Sequence, residues 1–186
     1  MKTVFFDVDT QLDFLTPAGA LAVSGAAAIT PALAALTRHA LSSGTLIVST
    51  MDAHAENDAE FRCWKPHCVI GTQGQAKLAV SLSPRAVRVP DLSAPQIIVE
   101  KHTIDIFLSP QLAHLVDALG ADRFVVYGLV TEFCVAFAAF GLLARGAQVQ
   151  VVTDAIRAIE AAAEQRFYDD FRSRGGKLIG LGEALG

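Results

Sequence analysis

Reactive side chains follow three short apolar runs of the sequence, each of the length of a buried strand. Asp7 and Asp9 alternate at the end of the first run, and Lys101 ends a later one. Thr131 is a predicted N-cap, which would place Cys134 in the first turn of a helix, where the helix dipole favours a thiolate. A carboxylate, an ammonium and such a thiol can act as base, electrostatic stabiliser and nucleophile. These residue types therefore predict covalent catalysis at one end of a sheet.

Each of these residues also has a structural interpretation when it is taken alone. A strand-end aspartate can cap a turn, a lysine can extend to solvent, and a first-turn cysteine is more often a small core residue. The catalytic interpretation is favoured because all three types occur at the same ends of strands that we expect to be adjacent.

A second cluster lies in the segment 52–75, which has little helical or strand periodicity. Its candidate metal ligands are two imidazoles and two carboxylates: Asp52, His54, Glu60 and His67. Such a set suits Zn²⁺, Fe²⁺ or Mn²⁺, with the remaining positions left to water or substrate. Cys63 and Cys68 could compete as softer ligands, or could be packing residues.

The elements that position these groups follow from the periodicity of the chain. Short β-branched runs predict parallel strands at Val4–Phe6, Leu46–Val48, Ile97–Val99, Phe124–Val126, Val149–Val152 and, more weakly, Leu178–Leu181. Helices are predicted between them, each followed by a glycine, at Ile29–Leu41, Gln111–Leu119, Glu132–Arg145 and Glu160–Arg174. This alternation predicts an α/β fold, an open, doubly wound, Rossmann-like sheet that is mainly parallel and forms the middle of three α/β/α layers. We expect a single domain over residues 1–186.

Composition narrows the class of protein further. Hydrophobic residues make up 52% of the 186 positions, which excludes intrinsic disorder. The longest near-apolar stretch, Phe133 to Ala144, is shorter than the roughly 20 residues of a membrane span. The N-terminal residues lack the features of a signal peptide, so we expect a cytoplasmic protein. A net charge of −4 without a basic run argues against a nucleic-acid partner, and three cysteines argue against a disulfide framework.

At this point the sequence resembles the isochorismatase-like cysteine hydrolases, and within them the nicotinamidase/pyrazinamidase branch. The motifs that carry the resemblance occur in the family's order: Asp9-Thr10-Gln11-Leu12-Asp13-Phe14, Asp52-Ala53-His54, Pro66-His67-Cys68-Val69-Ile70-Gly71-Thr72, Glu100-Lys101 and Gly128-Leu129-Val130-Thr131-Glu132-Phe133-Cys134-Val135. The resemblance implies a catalytic triad of Asp9, Lys101 and Cys134. It also implies the metal ligands Asp52, His54, Glu60 and His67, with one divalent ion per chain, Zn²⁺ before Fe²⁺ or Mn²⁺. Many family members have histidine where this chain has Glu60, and some have glutamate.

The resemblance further implies a cis peptide between Leu129 and Val130, with an oxyanion hole formed by the N–H groups of Val130 and Cys134. The expected activity is deamidation of nicotinamide to nicotinate and ammonia through a thioester on the cysteine. Phe14 and Trp64 are the aromatic residues nearest the motifs and would bind the two faces of a flat ring. The metal would bind the nitrogen of that ring.

Other functions are compatible with parts of the sequence. A relative of the same family could act on another small amide or on a ureido compound, and a protein could keep the metal site without turnover. Phe5-Phe6-Asp7-Val8-Asp9-Thr10 also resembles the first motif of haloacid dehalogenase-type phosphatases, with Asp7 as nucleophile and Ser49 or Thr50 as phosphate ligand. That motif requires Thr or Val where this chain has Gln11, and it leaves Cys134 without a role. The apolar helix is compatible with a homo-oligomer, although a helix covering the sheet explains it equally.

Overall fold

The computed structural model describes residues 1–88 and 91–186, and within these ranges seven strands form one parallel sheet. The strands are β1 (Thr3–Val8), β2 (Ile47–Asp52), β3 (Ala86–Val87), β4 (Gln96–Lys101), β5 (Arg123–Leu129), β6 (Gln148–Arg157) and β7 (Lys177–Ile179). Their order across the sheet is β3-β4-β2-β1-β5-β6-β7. The α-helices are α1 (Leu12–Leu15), α2 (Thr30–Ser43), α3 (Pro110–Leu119), α4 (Ala136–Ala144), α5 (Ala161–Ser173) and α6 (Leu181–Ala184). The predicted α/β fold is confirmed.

Helices cover both faces of the sheet because alternate strand residues point to opposite sides. Val4 and Phe6 of β1 belong to a core with side chains of α3, α4 and α5. Phe5 belongs to a second core, on the other face, with side chains of α2. The strands are therefore apolar on both sides, as expected for a buried parallel sheet.

Several boundaries differ from the sequence prediction. Strand β3 (Ala86–Val87) was not predicted, because a strand of two residues is too short to show periodicity. The predicted run at 178–181 divides into the end of β7 and the start of α6. The predicted helix from Glu132 begins as a π-helical turn, Thr131–Val135, before α4 starts. Of the helix-ending glycines, Gly44 and Gly120 are C-caps with φ of 70° and 53°, as predicted.

Four adjacent strands, β4, β2, β1 and β5, bring their carboxyl ends to one crevice. The chain runs from β1 to β2 on one side and places β5 on the other, so the crevice is at the point where the strand order reverses. Ligands of open α/β sheets bind at this position. At Gly128 in β5 the φ is 122°, and a Cβ there would overlap the carbonyl of Val8. Glycine therefore allows β5 to pass close to β1 beside the crevice.

Within the described residues, no helix has the length and hydropathy needed to cross a membrane.

Candidate active site

Asp9, Lys101 and Cys134 meet at the crevice. The Lys101 Nζ lies 2.8 Å from Asp9 Oδ2 and 3.5 Å from Cys134 Sγ. Asp9 follows β1 with a φ of 46°, and its Oδ1 accepts a hydrogen bond of 2.7 Å from the Thr50 hydroxyl. Its buried Oδ2 has no aligned hydrogen-bond donor in the described part of the chain. This oxygen therefore has an ionic neighbour and a lone pair left to accept a proton.

Cys134 lies in the π-helical turn that follows β5. Thr131 is not the N-cap that the sequence predicted: Val130 occupies that position, and the Thr131 hydroxyl is buried without a hydrogen-bond partner among residues 1–88 and 91–186. The Val130 carbonyl instead accepts the N–H groups of Phe133 and Val135, both at 3.1 Å. The preceding Leu129–Val130 peptide is cis, as the resemblance implied.

The environment of the Cys134 thiol also differs from the prediction of a thiolate. Burial raises the pKa of Cys134 well above its usual value, and the carboxylates of Asp9 and Asp52 add to the shift against the opposing charge of Lys101. The resting group is consequently a thiol. Attack by this sulfur requires a neighbouring base to remove its proton.

Lys101 remains charged although it is buried. Burial disfavours the ammonium, but the carboxylates of Asp52 and Asp9 outweigh that effect and hold the pKa of Lys101 well above its usual value. The Lys101 ammonium also forms an ion pair with Asp52 Oδ1. Burial and the Asp9 carboxylate raise the pKa of Asp52 to about 6. One buried cation thus neutralises parts of two buried carboxylates.

Three of the four predicted metal ligands are brought together. One potential ligand atom from each of Asp52, His54 and His67 lies within 4.8 Å of the others, and all three residues are buried. Glu60 is outside this group, although it lines the same cavity. Cys63 is exposed and Cys68 is buried outside the group, so neither is placed as a competing ligand.

The two histidines are oriented as metal ligands usually are. The Nδ1 atom of His54 lies 3.1 Å from Asp58 Oδ2, and that of His67 lies 2.8 Å from the Lys65 carbonyl oxygen. These partners select the tautomers in which Nδ1 carries the proton and Nε2 has the free lone pair. His54 Nε2 is buried and has no hydrogen-bond partner among the described residues. Burial also lowers the pKa of His67, which favours the neutral form that binds metals. The residues therefore fit a divalent ion.

Gln11 connects the first motif to the metal cluster. Its amide accepts the N–H of Asp52 at 2.7 Å and donates to the Asp52 carbonyl at 2.9 Å. Asp13 has a comparable structural task, since its carboxylate accepts the backbone N–H of Cys68 at 2.7 Å. The polar residues of the first motif thus fix the backbone on which the candidate ligands stand.

A cavity beside Cys134 is lined mainly by apolar side chains, and Phe14 and Trp64, the predicted ring-binding residues, are both in its wall. The ring of Phe14 lies 5.4 Å from that of His67. Trp64 makes an edge contact with Phe133, with the ring centroids 5.2 Å apart. Phe133 is a wall residue that was not predicted, although its position directly before Cys134 in the sequence could have indicated it. Other wall residues not selected were Leu21, Val23, Ile104 and Ile159.

The structure gives Asp7 a different environment from Asp9. Asp7 Oδ2 accepts the Ser49 hydroxyl at 2.8 Å and lies 3.1 Å from Lys77 Nζ, and the Asp7 side chain is 1% exposed. Ser49 and Thr50, the phosphate ligands of the phosphatase interpretation, donate to Asp7 and Asp9 instead. A buried, paired Asp7 does not serve as an accessible nucleophile, so this interpretation is not supported.

Comparisons with known proteins show what this chain is similar to. A family model described as the isochorismatase domain matches residues 3–183. A nicotinamidase from Acinetobacter baylyi is 31% identical in an alignment that covers 82% of this chain and 80% of the relative. The pyrazinamidase of Pyrococcus horikoshii, solved in complex with zinc, is 30% identical with a TM-score of 0.83, covering 97% of this chain and 99% of that one. N-carbamoylsarcosine amidase from Thermoplasma acidophilum is 26% identical with a TM-score of 0.79, covering 97% of each chain.

Proposed function

Because this chain belongs to the isochorismatase family, we propose that it converts nicotinamide to nicotinate and ammonia with a triad of Asp9, Lys101 and Cys134. It is a nicotinamidase-like hydrolase of a carbon–nitrogen amide bond, as its similarity to the nicotinamidase and the pyrazinamidase indicates. We also infer one catalytic domain over residues 1–186, since the family match covers nearly all of them.

The observation that carries the proposal is the contact of one buried ammonium with the base and the nucleophile. Lys101 Nζ is 2.8 Å from the Asp9 carboxylate and 3.5 Å from the Cys134 sulfur. Such a cation stabilises a thiolate at the moment it forms. Asp9 Oδ2, which lacks an aligned donor among the described residues, is the oxygen that would take the proton.

In the acylation step, Asp9 takes the thiol proton of Cys134 while the sulfur attacks the carboxamide carbon. The carbon–sulfur bond forms as the carbonyl electrons move to oxygen, and the Lys101 ammonium balances the charge. Protonated Asp9 then gives its proton to the amide nitrogen. The carbon–nitrogen bond breaks, ammonia leaves, and a thioester remains.

In the second half of the reaction, Asp9 removes a proton from water as the water oxygen attacks the thioester carbon. The carbon–sulfur bond breaks, the acid is released, and the proton held by Asp9 returns to the Cys134 sulfur. The oxyanion in both halves would accept hydrogen bonds from the N–H groups of Val130 and Cys134. Donors of this kind are worth about 3 kcal/mol each.

Asp52, His54 and His67 would hold a divalent metal ion, with Glu60 as the further candidate from the same cavity. When bound, that ion would supply a Lewis-acidic position for a pyridine nitrogen. Phe14 and Trp64 would bind the ring through its faces, which orients the carboxamide toward Cys134. Zn²⁺ is the first candidate, because two imidazoles and a carboxylate match its preferred ligands.

The wall of the cavity favours a neutral substrate. Among its described side chains there is no lysine or arginine, whereas Asp52 and Glu60 are both present. A ureido acid carries a carboxylate, which would need a cationic partner of its own besides the metal ion proposed for the ring nitrogen. The neutral amide is therefore preferred over the ureido compounds that the family resemblance also allowed.

The deciding experiment is a substrate panel with purified, metal-analysed protein. We expect ammonia release from nicotinamide and pyrazinamide, with N-carbamoylsarcosine and isochorismate turned over poorly or not at all. A preference for the ureido acid would replace the nicotinamidase assignment with the alternative. Absence of hydrolysis for every member of the panel would favour a binding protein without turnover. Hydrolysis of a phosphomonoester would instead support the phosphatase interpretation.

A further inference from the structure

A second buried ion pair lies beneath the triad and has no part in the mechanism above. Lys77 Nζ is 3.1 Å from Asp7 Oδ2, and both side chains are 1% exposed. Replacing such a pair with apolar residues of similar size is often neutral or stabilising, because burying two charges is costly. Stability alone therefore does not account for a lysine and an aspartate at these positions.

The Lys77 ammonium also contacts β2, the strand whose Thr50 is hydrogen-bonded to Asp9. It donates a hydrogen bond of 3.0 Å to the carbonyl oxygen of Thr50. Thr50 lies one residue beyond Ser49, the last β2 residue that pairs with β1. The Thr50 hydroxyl accepts the N–H of Asp9 at 3.3 Å and donates to Asp9 Oδ1 at 2.7 Å. Lys77 is thus hydrogen-bonded to the backbone of Thr50, and the Thr50 side chain is hydrogen-bonded to the Asp9 carboxylate, at the level where β1 and β2 separate.

The backbone around Lys77 fixes the other side of Asp9. Lys77 forms an antiparallel bridge with Gln11, two residues after Asp9. On either side of this bridge, the Leu78 N–H donates to the Thr10 carbonyl at 2.8 Å, and the Leu12 N–H donates to the Ala76 carbonyl at 2.9 Å. The segment 76–78 therefore contacts the chain directly after Asp9, while its lysine side chain contacts Asp7, two residues before Asp9.

We propose that Lys77, balanced by Asp7, is a positioning residue that sets the orientation of the Asp9 carboxylate through Thr50. The inference rests on the proposed function only in taking Asp9 as the base. Asp9 has a left-handed backbone conformation, which a non-glycine residue keeps only when its surroundings fix it. Lys77 and its backbone neighbours supply contacts around Asp9: with Asp7 before it, with Thr50 beside it, and with the backbone of residues 10–12 after it.

The test replaces both charges together, in the variant Asp7→Val/Lys77→Met, so that no unpaired charge is left buried. We expect kcat for nicotinamide to fall by about 10- to 100-fold, the cost of a base misplaced by roughly 1 Å. KM and metal content should stay close to wild type, because neither residue lines the substrate cavity or belongs to the metal cluster. Val151→Ala in β6 is the control, a core truncation remote from Asp9 whose kcat per folded molecule should be unchanged.

A readout without substrate separates this inference from the proposed function. Iodoacetamide alkylation of Cys134, followed on its own peptide by mass spectrometry, reports removal of the thiol proton, and we expect slower alkylation in the double variant. If wild type hydrolyses no amide in the panel, the proposed function fails, while the alkylation rates still decide the role of Lys77. Wild-type kcat and alkylation rates in the folded double variant would overturn the inference.

Thr50→Val tests the proposed role of Lys77 independently if the double variant does not fold. Because Lys77 acts through Thr50, removing the hydroxyl alone should lower kcat with KM unchanged. Where all variants fold, adding Thr50→Val to the double variant should cost little more, since residues that act as one unit are not additive. Full activity in Thr50→Val would contradict the proposed route from Lys77 to Asp9.

Discussion

Asp52 and Lys101 lie opposite each other in the ladder between β2 and β4, and their charged groups are in direct contact. Asp52 belongs to the group of candidate metal ligands, and Lys101 contacts both members of the proposed base–nucleophile pair. The two parts of the site therefore share one ion pair. A change at Asp52 should affect both metal binding and the chemical step.

Asp52→Asn tests this sharing. We expect the variant to bind metal more weakly and, when reloaded to full occupancy, still to show a reduced kcat, because the Lys101 ammonium has lost a partner. The matched variant is His67→Ala, which should lose metal but recover its chemical step more completely at saturating ion. Occupancy by elemental analysis and kcat at saturating Zn²⁺ distinguish the two. Equal recovery of both variants would show that the contact is not functional.

Cys134→Ala should abolish ammonia release, by roughly 10⁴-fold or more, with the fold and metal content intact. Cys134→Ser should be nearly as inactive, since a hydroxyl is a far weaker acid than a thiol and a carboxylate such as Asp9 is too weak a base to activate it. The exposed Cys63 is the control, and Cys63→Ser should retain full activity. Activity in Cys134→Ala above a trace would exclude the covalent mechanism.

Asp9→Asn and Lys101→Ala should each inactivate the enzyme, and the double variant should be little worse than either single one. Lys101→Ala should also destabilise the protein by about 3–5 kcal/mol, because two buried carboxylates lose their counter-ion. Ammonia release and urea unfolding measure these effects. If the two losses of activity multiplied, Asp9 and Lys101 would be acting separately.

Removing the metal should weaken nicotinamide binding more than it slows the reaction of bound substrate. Benzamide keeps the carboxamide but lacks the ring nitrogen, so it should be a poor substrate whose turnover barely responds to chelation. The comparison requires protein shown to be metal-free by elemental analysis. An unchanged KM for nicotinamide in that protein would contradict an anchoring role for the ion.

Substitutions around the candidate metal ligands should weaken metal binding to different degrees. Asp58→Ala should weaken metal binding by about 10- to 100-fold, because His54 loses the carboxylate that orients its ring. Glu60→Ala should lower metal occupancy less than His67→Ala does, since Glu60 lies outside the group of three, and it should raise KM for nicotinamide. Glu60→His should retain metal with a changed preference among ions. A full complement of metal in Glu60→Ala would remove Glu60 from the ligand set.

Sequence patterns located the strand ends well because buried parallel strands are short, apolar and β-branched. Asp9, Lys101 and Cys134 could be selected since Asp9 directly follows such a strand, Lys101 ends one, and Cys134 lies in the first turn of the next helical pattern. The role of Asp58 was not visible, because an exposed-looking aspartate becomes a histidine partner only once the loop has folded. The pairing of Asp7 with Lys77 was not visible either, because the two residues are separated in the sequence by β2 and by the segment 52–75.

The protonation of Cys134 could not be predicted either. A first-turn cysteine near a lysine suggests a thiolate, but the structure adds burial of the thiol and two neighbouring carboxylates. Burial is the largest of these effects and raises the pKa of the Cys134 thiol. Electrostatics of this kind depends on distances across strands, which a one-dimensional pattern does not contain.

The two margins of the sheet are its shortest strands, with two residues in β3 and three in β7. A sheet margin exposes unpaired amide and carbonyl groups that can recruit a strand from another molecule. Here those rows are brief, and β7 begins with a charged lysine, so an incoming strand would gain few hydrogen bonds. The long apolar strands at the centre are therefore shielded from self-association at high concentration, and a substitution that lengthened β3 would promote aggregation without touching the active site.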